Sequence, residues 1–249
     1  MIVAVDQPNY LPWKGYFDLI NDVDLFVFYN NVQYTTRDWR NRNRIVTPNG
    51  EMWLTVPCGN DTNRLICDVK ISNQEWQNKH YQTLKFAYGR TPYFKWINPL
   101  LEETYIDRKW DNLCELDMFL IERISKDYLG ITTTFKDSRS YTTSGVKHER
   151  MLNLLDNIGA DVYESGPAAK DYIISADYKK RGIKLRWKSY DNYPIYSQMQ
   201  NTFSHYVSII DLICNVGKDS PYYIWGWREG KTNYSWYMDE IFNGASELE

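Results

Sequence analysis

The sequence predicts an α/β fold: a mixed or mainly parallel sheet with flanking helices and a helical insertion around residues 72–129. Three observations carry this expectation. The runs Ile2-Val3-Ala4-Val5 and Leu25-Phe26-Val27-Phe28-Tyr29 are too short for helices and rich in strand-favouring side chains. Between them, Trp13, Tyr16, Phe17 and Ile20 recur at the spacing of one helix face. Strand-like and helix-like segments then interleave towards the C-terminus, the pattern that buries a sheet between helices. The chain has 249 residues, no internal repeat and no linker, so residues 1–247 are expected to form a single α/β domain. Residues 248–249, Leu-Glu, read as a cloning scar.

In chain order, residues 2–5 are the first expected strand, 13–20 a helix and 25–29 the second strand. Residues 44–47 and 52–56 flank Pro48-Asn49-Gly50, where Asn-Gly supplies the positive φ of a hairpin turn. Residues 65–71 read as a further strand. Ser72 is a plausible cap for a helix over 72–89, with Trp76, His80, Leu84 and Tyr88 on one face. Helices follow over 92–105 and 110–129, then a strand at 132–135 and a Ser/Thr-rich loop at 138–144. Residues 147–158 form an amphipathic helix, 161–164 a strand and 183–187 another. Residues 207–214 and 234–242 are expected to be helical, separated by an aromatic loop at 222–227.

Composition narrows the function. Ten tryptophans and twenty-one tyrosines offer apolar rings with polar tips, suited to an aromatic core and equally to stacking on a sugar or base. A net charge of -3 argues against an extensive nucleic-acid surface. No stretch approaches the roughly eighteen apolar residues of a membrane span, and the N-terminus lacks signal-peptide character, so a cytoplasmic protein is expected. Cys58, Cys67, Cys114 and Cys214 are far apart, as ordinary thiols are, and the scattered His80, His148 and His205 suggest no metal site.

Four segments carry candidate chemistry. Pro8 and Pro12 stiffen the loop after the first strand, which presents Asp6, Gln7, Asn9 and Tyr10 where α/β folds place ligands. In Trp39-Arg40-Asn41-Arg42-Asn43-Arg44 the guanidinium forks match phosphate or carboxylate, and the asparagines match hydroxyl or amide groups. On a regular strand, however, arginines and asparagines face opposite ways, and the run serves equally as a solvated edge strand. His80, on its helix, is the natural proton-transfer residue, or else a hydrogen-bonded structural histidine. Ser165-Gly166-Pro167-Ala168-Ala169-Lys170 follows a strand, and amides opening a helix there attract anions. Neither a dinucleotide fingerprint nor a P-loop is present.

These motifs, in this order, resemble the WbqC-like family of bacterial proteins. The likeness runs through Gln7-Pro8-Asn9-Tyr10-Leu11-Pro12-Trp13-Lys14-Gly15-Tyr16-Phe17, Asn31-Val32-Gln33, the arginine–asparagine run to Ile45, and Trp53-Leu54-Thr55-Val56-Pro57. It continues through Trp76, Lys79-His80, Tyr88, Pro92-Tyr93-Phe94, Ser165 to Tyr172, Ser208 to Leu212 and Asn215-Val216-Gly217. Members occur in gene clusters for O-antigens and related surface glycans. The resemblance therefore implies a transferase placing an acyl or aminoacyl group on a nucleotide-linked amino sugar. Many members have His before Gln-Pro where this chain has Asp6, so a mechanism needing that histidine does not carry over.

On this reading His80, Gln7 and Tyr10 are the catalytic candidates. Asp6, Asn9, Gln33, Trp39, Asn41, Arg42, Asn43, Ser165 and Lys170 are the substrate-binding ones. The cofactor is unknown; coenzyme A, an aminoacyl-tRNA and an ATP-activated acid are all open as donor. Two alternatives stand beside it. One is a nucleotidyltransferase-like enzyme lacking both signature histidines, with Trp13 and Tyr16 nearby instead. The other is a non-enzymatic protein that binds a glycan intermediate or a partner enzyme.

Overall fold

A computed structural model describes residues 1–171, 173–200 and 202–228, together with the backbone of 234–236. The strands are β1 (Ile2–Asp6), β2 (Leu25–Phe28), β3 (Arg42–Thr47), β4 (Gly50–Thr55), β5 (Thr134–Asp137), β6 (Val162–Ser165), β7 (Lys184–Lys188) and β8 (Tyr234–Trp236). The main sheet has the order β5-β2-β1-β6-β7-β8, parallel from β5 to β7 and antiparallel at β8, while β3 and β4 pair separately as a hairpin. The α/β expectation therefore holds, with five parallel strands at its centre.

The helices are α1 (Lys14–Asn21), α2 (Glu75–Tyr88), α3 (Phe94–Glu102), α4 (Leu113–Arg123), α5 (Lys147–Ile158), α6 (Ser175–Lys180), α7 (Ile209–Val216) and α8 (Ser220–Ile224). All four residues of β2 are buried because both faces of a parallel sheet are covered. Alternation decides which core each joins. Ala4, Phe26 and Phe28 join the larger core with α1 to α4 and α7. Val3, Val5, Leu25 and Val27 join the smaller core with Leu152, Leu155 and Tyr178 from α5 and α6.

Three local expectations are corrected. Residues 65–71 form a short turn at Ile66–Asp68 instead of a strand. Ile66 and Val69 are buried three positions apart, and the amides of Ile66 and Cys67 bond to the carbonyls of Val32 and Asn30. The aromatic segment at 222–227 is mostly helical: Pro221 opens α8, and a single turn follows at Gly226–Arg228. Residues 234–236, expected to begin a helix, extend the sheet as β8 against β7. The remainder of that expected helix and the Leu248-Glu249 tail lie outside the described residues.

Chain direction across the sheet fixes the functional end. From β1 the chain moves outward through β2 to β5, then returns to the other side of β1 at β6. Strand order thus reverses between β1 and β6, and the loops leaving their carboxyl ends face the crevice where such sheets take ligands. Two motifs about 160 positions apart, the Gln7-Pro8 loop and the Ser165-Gly166 turn, meet there because Ala4 pairs with Glu164.

Candidate functional site

The loop after β1 is held in an unusual shape. Leu11, a non-glycine, has φ +43°, in the sparsely populated left-handed region. The Asn43 side-chain amide fixes it, donating to the carbonyls of Tyr10 (3.2 Å) and Leu11 (2.8 Å), while the Tyr10 amide bonds to the Trp39 carbonyl at 3.0 Å. Ile209 closes the other end by donating its N–H to the Pro12 carbonyl at 2.8 Å. A strained loop tied down at this many points is preorganised.

A cleft of about 260 Å3 opens beside it, lined by Asn9, Pro12, Trp13, Trp39, Asn43 and Tyr206. Asn9, Trp39 and Asn43 were expected at a binding site. Pro12, Trp13 and Tyr206 were not. Trp13 and Tyr206 pair at 5.7 Å, and Trp13 also meets the Tyr190 ring edge-on at 5.2 Å. Trp13 folds back over the start of α1, where a side chain at Gly15 would collide with its indole. Gly15 in Trp13-Lys14-Gly15 was the available signal for that packing. The Tyr190 hydroxyl lies 3.4 Å from where a Cβ on Gly166 would sit, so these rings connect the cleft to the turn after β6.

At the crevice itself, Asp6 ends β1 half-buried, with Oδ1 accepting the Gln7 amide at 2.7 Å. Burial pushes its carboxyl up to about 6, against the pull of that amide and of the Arg40 guanidinium. The Gln7 side-chain oxygen is buried with no protein partner, and the Gln7 carbonyl accepts the Tyr16 hydroxyl at 2.9 Å. Ser165, 9% exposed, ends β6, whereas Lys170 is exposed with its ammonium 5.6 Å from the centre of the Trp187 ring.

His80 and Tyr10 are placed elsewhere than a proton-transfer role needs. Both are core residues in a ring cluster with Trp76 and Tyr105. His80 Nδ1 is 2.8 Å from the Tyr10 hydroxyl, which is itself 2.5 Å from the Tyr105 hydroxyl, and the imidazole also bonds to the Thr55 backbone. Burial brings His80 down to about 4, so it is neutral at physiological pH and occupied by protein partners.

The arginine–asparagine run alternates as a strand should. Asn43 and Asn41 are buried, and Asn41 donates to the Val56 carbonyl at 3.0 Å, so its role here is to tie the hairpin. Arg42 and Arg44 face outward, towards Trp39 and Trp53, whose rings lie 5.5 Å apart. The Arg42 guanidinium sits 4.4 Å from the centre of the Trp53 ring. Gln33 is exposed on the loop after β2, with its amide 3.4 Å from the Thr62 carbonyl, and does not line the cleft.

Among the described residues no group of three or more His, Cys, Asp or Glu side chains is arranged to hold a metal ion. No helix among them is long and apolar enough to cross a membrane. The four cysteines are free thiols.

The uncharacterized protein Rv1507c of Mycobacterium tuberculosis is 39% identical over 224 residues, covering 89% of this chain and 96% of that protein. No solved structure matches the chain at a significant level. The model of the WbqC-like protein family matches residues 7–223, a span that includes every residue walling the cleft, and the chain belongs to that family.

Proposed function

We propose that the cleft binds a nucleotide-linked amino sugar and that the protein transfers an acyl or aminoacyl group to the sugar amine. The observation that carries this reading is an aromatic cleft, with Trp13, Trp39 and Tyr206 around Asn9, beside the strand-order reversal. Aromatic faces stack on the apolar face of a sugar ring while an amide reads its hydroxyls.

The transfer requires the amine nitrogen to attack the carbonyl carbon of the donor. A C–N bond forms, the bond to the sulfur or oxygen leaving group breaks, and the amine proton passes through a base to that leaving atom. With both His80 and Tyr10 held in the core, Asp6, at the carboxyl end of β1 and three positions before Asn9 though not itself in the cleft wall, is the base this reading assigns. Its carboxyl at about 6 is ionised at neutral pH and close enough to working pH to return the proton.

The test is product formation by the full chain from nucleotide-linked 3-amino and 4-amino sugars with acyl-coenzyme A or aminoacyl-tRNA donors, read by mass spectrometry. Asp6→Asn should reduce turnover by about 10²- to 10⁴-fold with binding retained. The wild-type rate should rise with pH through about 6, as the carboxylate forms. Undiminished turnover in Asp6→Asn would remove Asp6 as base, and absence of product with every donor would remove the transferase.

Strand order supports a second reading. Numbered alone, the five parallel strands follow 3-2-1-4-5, the nucleotide-binding order. For nucleotidyl transfer, Trp13 and Tyr16 would have to replace two phosphate-stabilising histidines. Trp13 is packed over Gly15, and the Tyr16 hydroxyl is committed to Gln7. The order therefore favours recognition of a nucleotide over chemistry on its phosphates.

A further inference from the structure

The 260 Å3 cleft falls below the roughly 300–1,000 Å3 of pockets that enclose drug-sized ligands. It suits one ring and leaves a nucleoside diphosphate outside. Trp39 belongs both to the cleft wall and to the outward face of the β3–β4 hairpin, so that face is the cleft's direct continuation. Trp39 and Trp53 are 43% and 42% exposed, large indoles in solvent with each other as ring partners. Arg42 lies against Trp53, and Arg44, directly opposite Trp53 in the hairpin, stands 5.6 Å from the same ring.

Charge on this face is in excess. Arg44 is paired with Glu51 at 2.8 Å and Arg40 with Asp38, but Arg37 and Arg42 make no ion pair among the described residues. The Nε–H groups of Arg40, Arg42 and Arg44 are buried without acceptors. Planar guanidinium forks match phosphate oxygens through their outer NH2 groups, one of which on Arg42 donates to the Arg37 carbonyl, and exposed indoles accept a nucleobase. The turn after β6 competes poorly for the same charge, since its Lys170 is laid against Trp187.

We propose that the outward face of the hairpin, Trp39 and Trp53 with Arg42 and Arg44, binds a nucleoside diphosphate whose attached group enters the cleft. The assignment rests on reading the cleft as the site of that group. The base stacks against the exposed Trp39–Trp53 pair, and the diphosphate lies between the base and the cleft, against the arginines.

The experiment is titration of the full chain with UDP, dTDP, GDP and ADP separately, followed by calorimetry and tryptophan quenching, with Kd compared across variants. At least one diphosphate should bind the wild type. Arg42→Ala and Trp53→Ala should each weaken it roughly 10- to 100-fold, the size of a lost charge-assisted contact or stack. Trp53→Phe, which keeps a ring and guards against loss of fold, should stay within about threefold. Lys170→Ala should bind as wild type. Binding unaffected by Arg42→Ala and Trp53→Ala but lost in Lys170→Ala would overturn the proposal, as would no binding of any of the four diphosphates. Diphosphate binding lost in Arg42→Ala, with no acylated product from any amino sugar, would leave this site standing and remove only the transferase.

Discussion

The chain gathers charge in two places, and the two are built to opposite rules. Against α1, Asp18, Asp22 and Glu164 meet Arg186, Lys188 and Arg228 in the interior. Arg186 donates to Glu164 at 2.8 Å, Lys188 to Asp18 at 2.9 Å and Asp22 at 2.6 Å, and Arg228 to Asp18 at 2.6 Å. Five of these six side chains are at most 7% exposed. On and just before the hairpin, four arginines from 37 to 44, exposed or partly exposed, share Asp38 and Glu51 beside two exposed indoles. The interior cluster matches each cation to a carboxylate and leaves one buried oxygen, Glu164 Oε1, without a hydrogen-bond partner among the described residues. The hairpin cluster has cation left over. A charge that is paired and dry describes architecture, and a charge in excess beside open aromatic surface describes a ligand.

The largest effect expected of this comparison comes from breaking the interior cluster at its centre. Asp18 accepts from Lys188, Arg228 and Tyr193, the last at 2.5 Å. Asp18→Ala should destabilise the fold by about 3–5 kcal/mol, because buried cations lose their carboxylate. Urea unfolding of variant and wild type measures it. A loss below about 1 kcal/mol would mean that the interior pairs are no more committed than the hairpin's, and the contrast would collapse.

Next in size is the cleft. Trp39→Ala removes a wall that is 43% exposed and therefore contributes little to the core. Ligand affinity should fall by about 1–3 kcal/mol, the range of a lost aromatic stack. The melting temperature should move by only a few degrees. Affinity unchanged while stability falls would make Trp39 a structural residue and the cleft a packing defect.

The sequence announced one side of this contrast and concealed the other. Apolar runs and helical spacing sufficed for α1, β1 and β2, because a parallel sheet imposes its burial pattern locally. The Gln7-Pro8 loop and the arginine–asparagine run were visible as motifs, and the strand alternation that separates Arg42 from Asn43 followed from the period of two. Tyr206 and Tyr190 were invisible as site residues, since they reach Trp13 only through tertiary packing of an irregular segment. His80 could not be placed from its helix alone, because a histidine there looks alike whether it faces a pocket or the Tyr10 hydroxyl. Pairing of Asp18 with Lys188 and Arg228, 170 and 210 positions away, leaves no local trace.

A carboxyl outside both clusters sharpens the rule from inside the core. Asp117 on α4 is fully buried, and neither side-chain oxygen has a hydrogen-bond partner among the described residues. Burial raises its pKa well above the ordinary value, so the folded state keeps the proton where the unfolded chain releases it. A raised folded pKa contributes stability that is complete below the unfolded value near 3.8 and is lost as pH rises. That single proton gives a slope of about 1.4 kcal/mol per pH unit at most. Asp117→Asn, neutral at every pH, should flatten the stability curve above about pH 4 by up to that slope. Parallel curves for variant and wild type would show that Asp117 is ionised and partnered in the fold.

The smallest effect has the opposite sign in the two clusters, which makes it the most discriminating. Glu51 pairs with Arg44 at 2.8 Å, with the two side chains 26% and 30% exposed. Glu51→Gln should change stability by less than about 1 kcal/mol, as exposed pairs do. It also removes the carboxylate that competes with an incoming anion for Arg44. Nucleoside diphosphate affinity should therefore rise a few-fold at low salt, with the gain shrinking as ionic strength shortens the roughly 10 Å screening length at 0.1 M. Deleting a carboxylate in the interior costs the fold, whereas deleting one on the hairpin frees a binding group. If Glu51→Gln weakened diphosphate binding instead, Glu51 would be holding Arg44 in its working position, and the hairpin too would be an architecture of matched pairs.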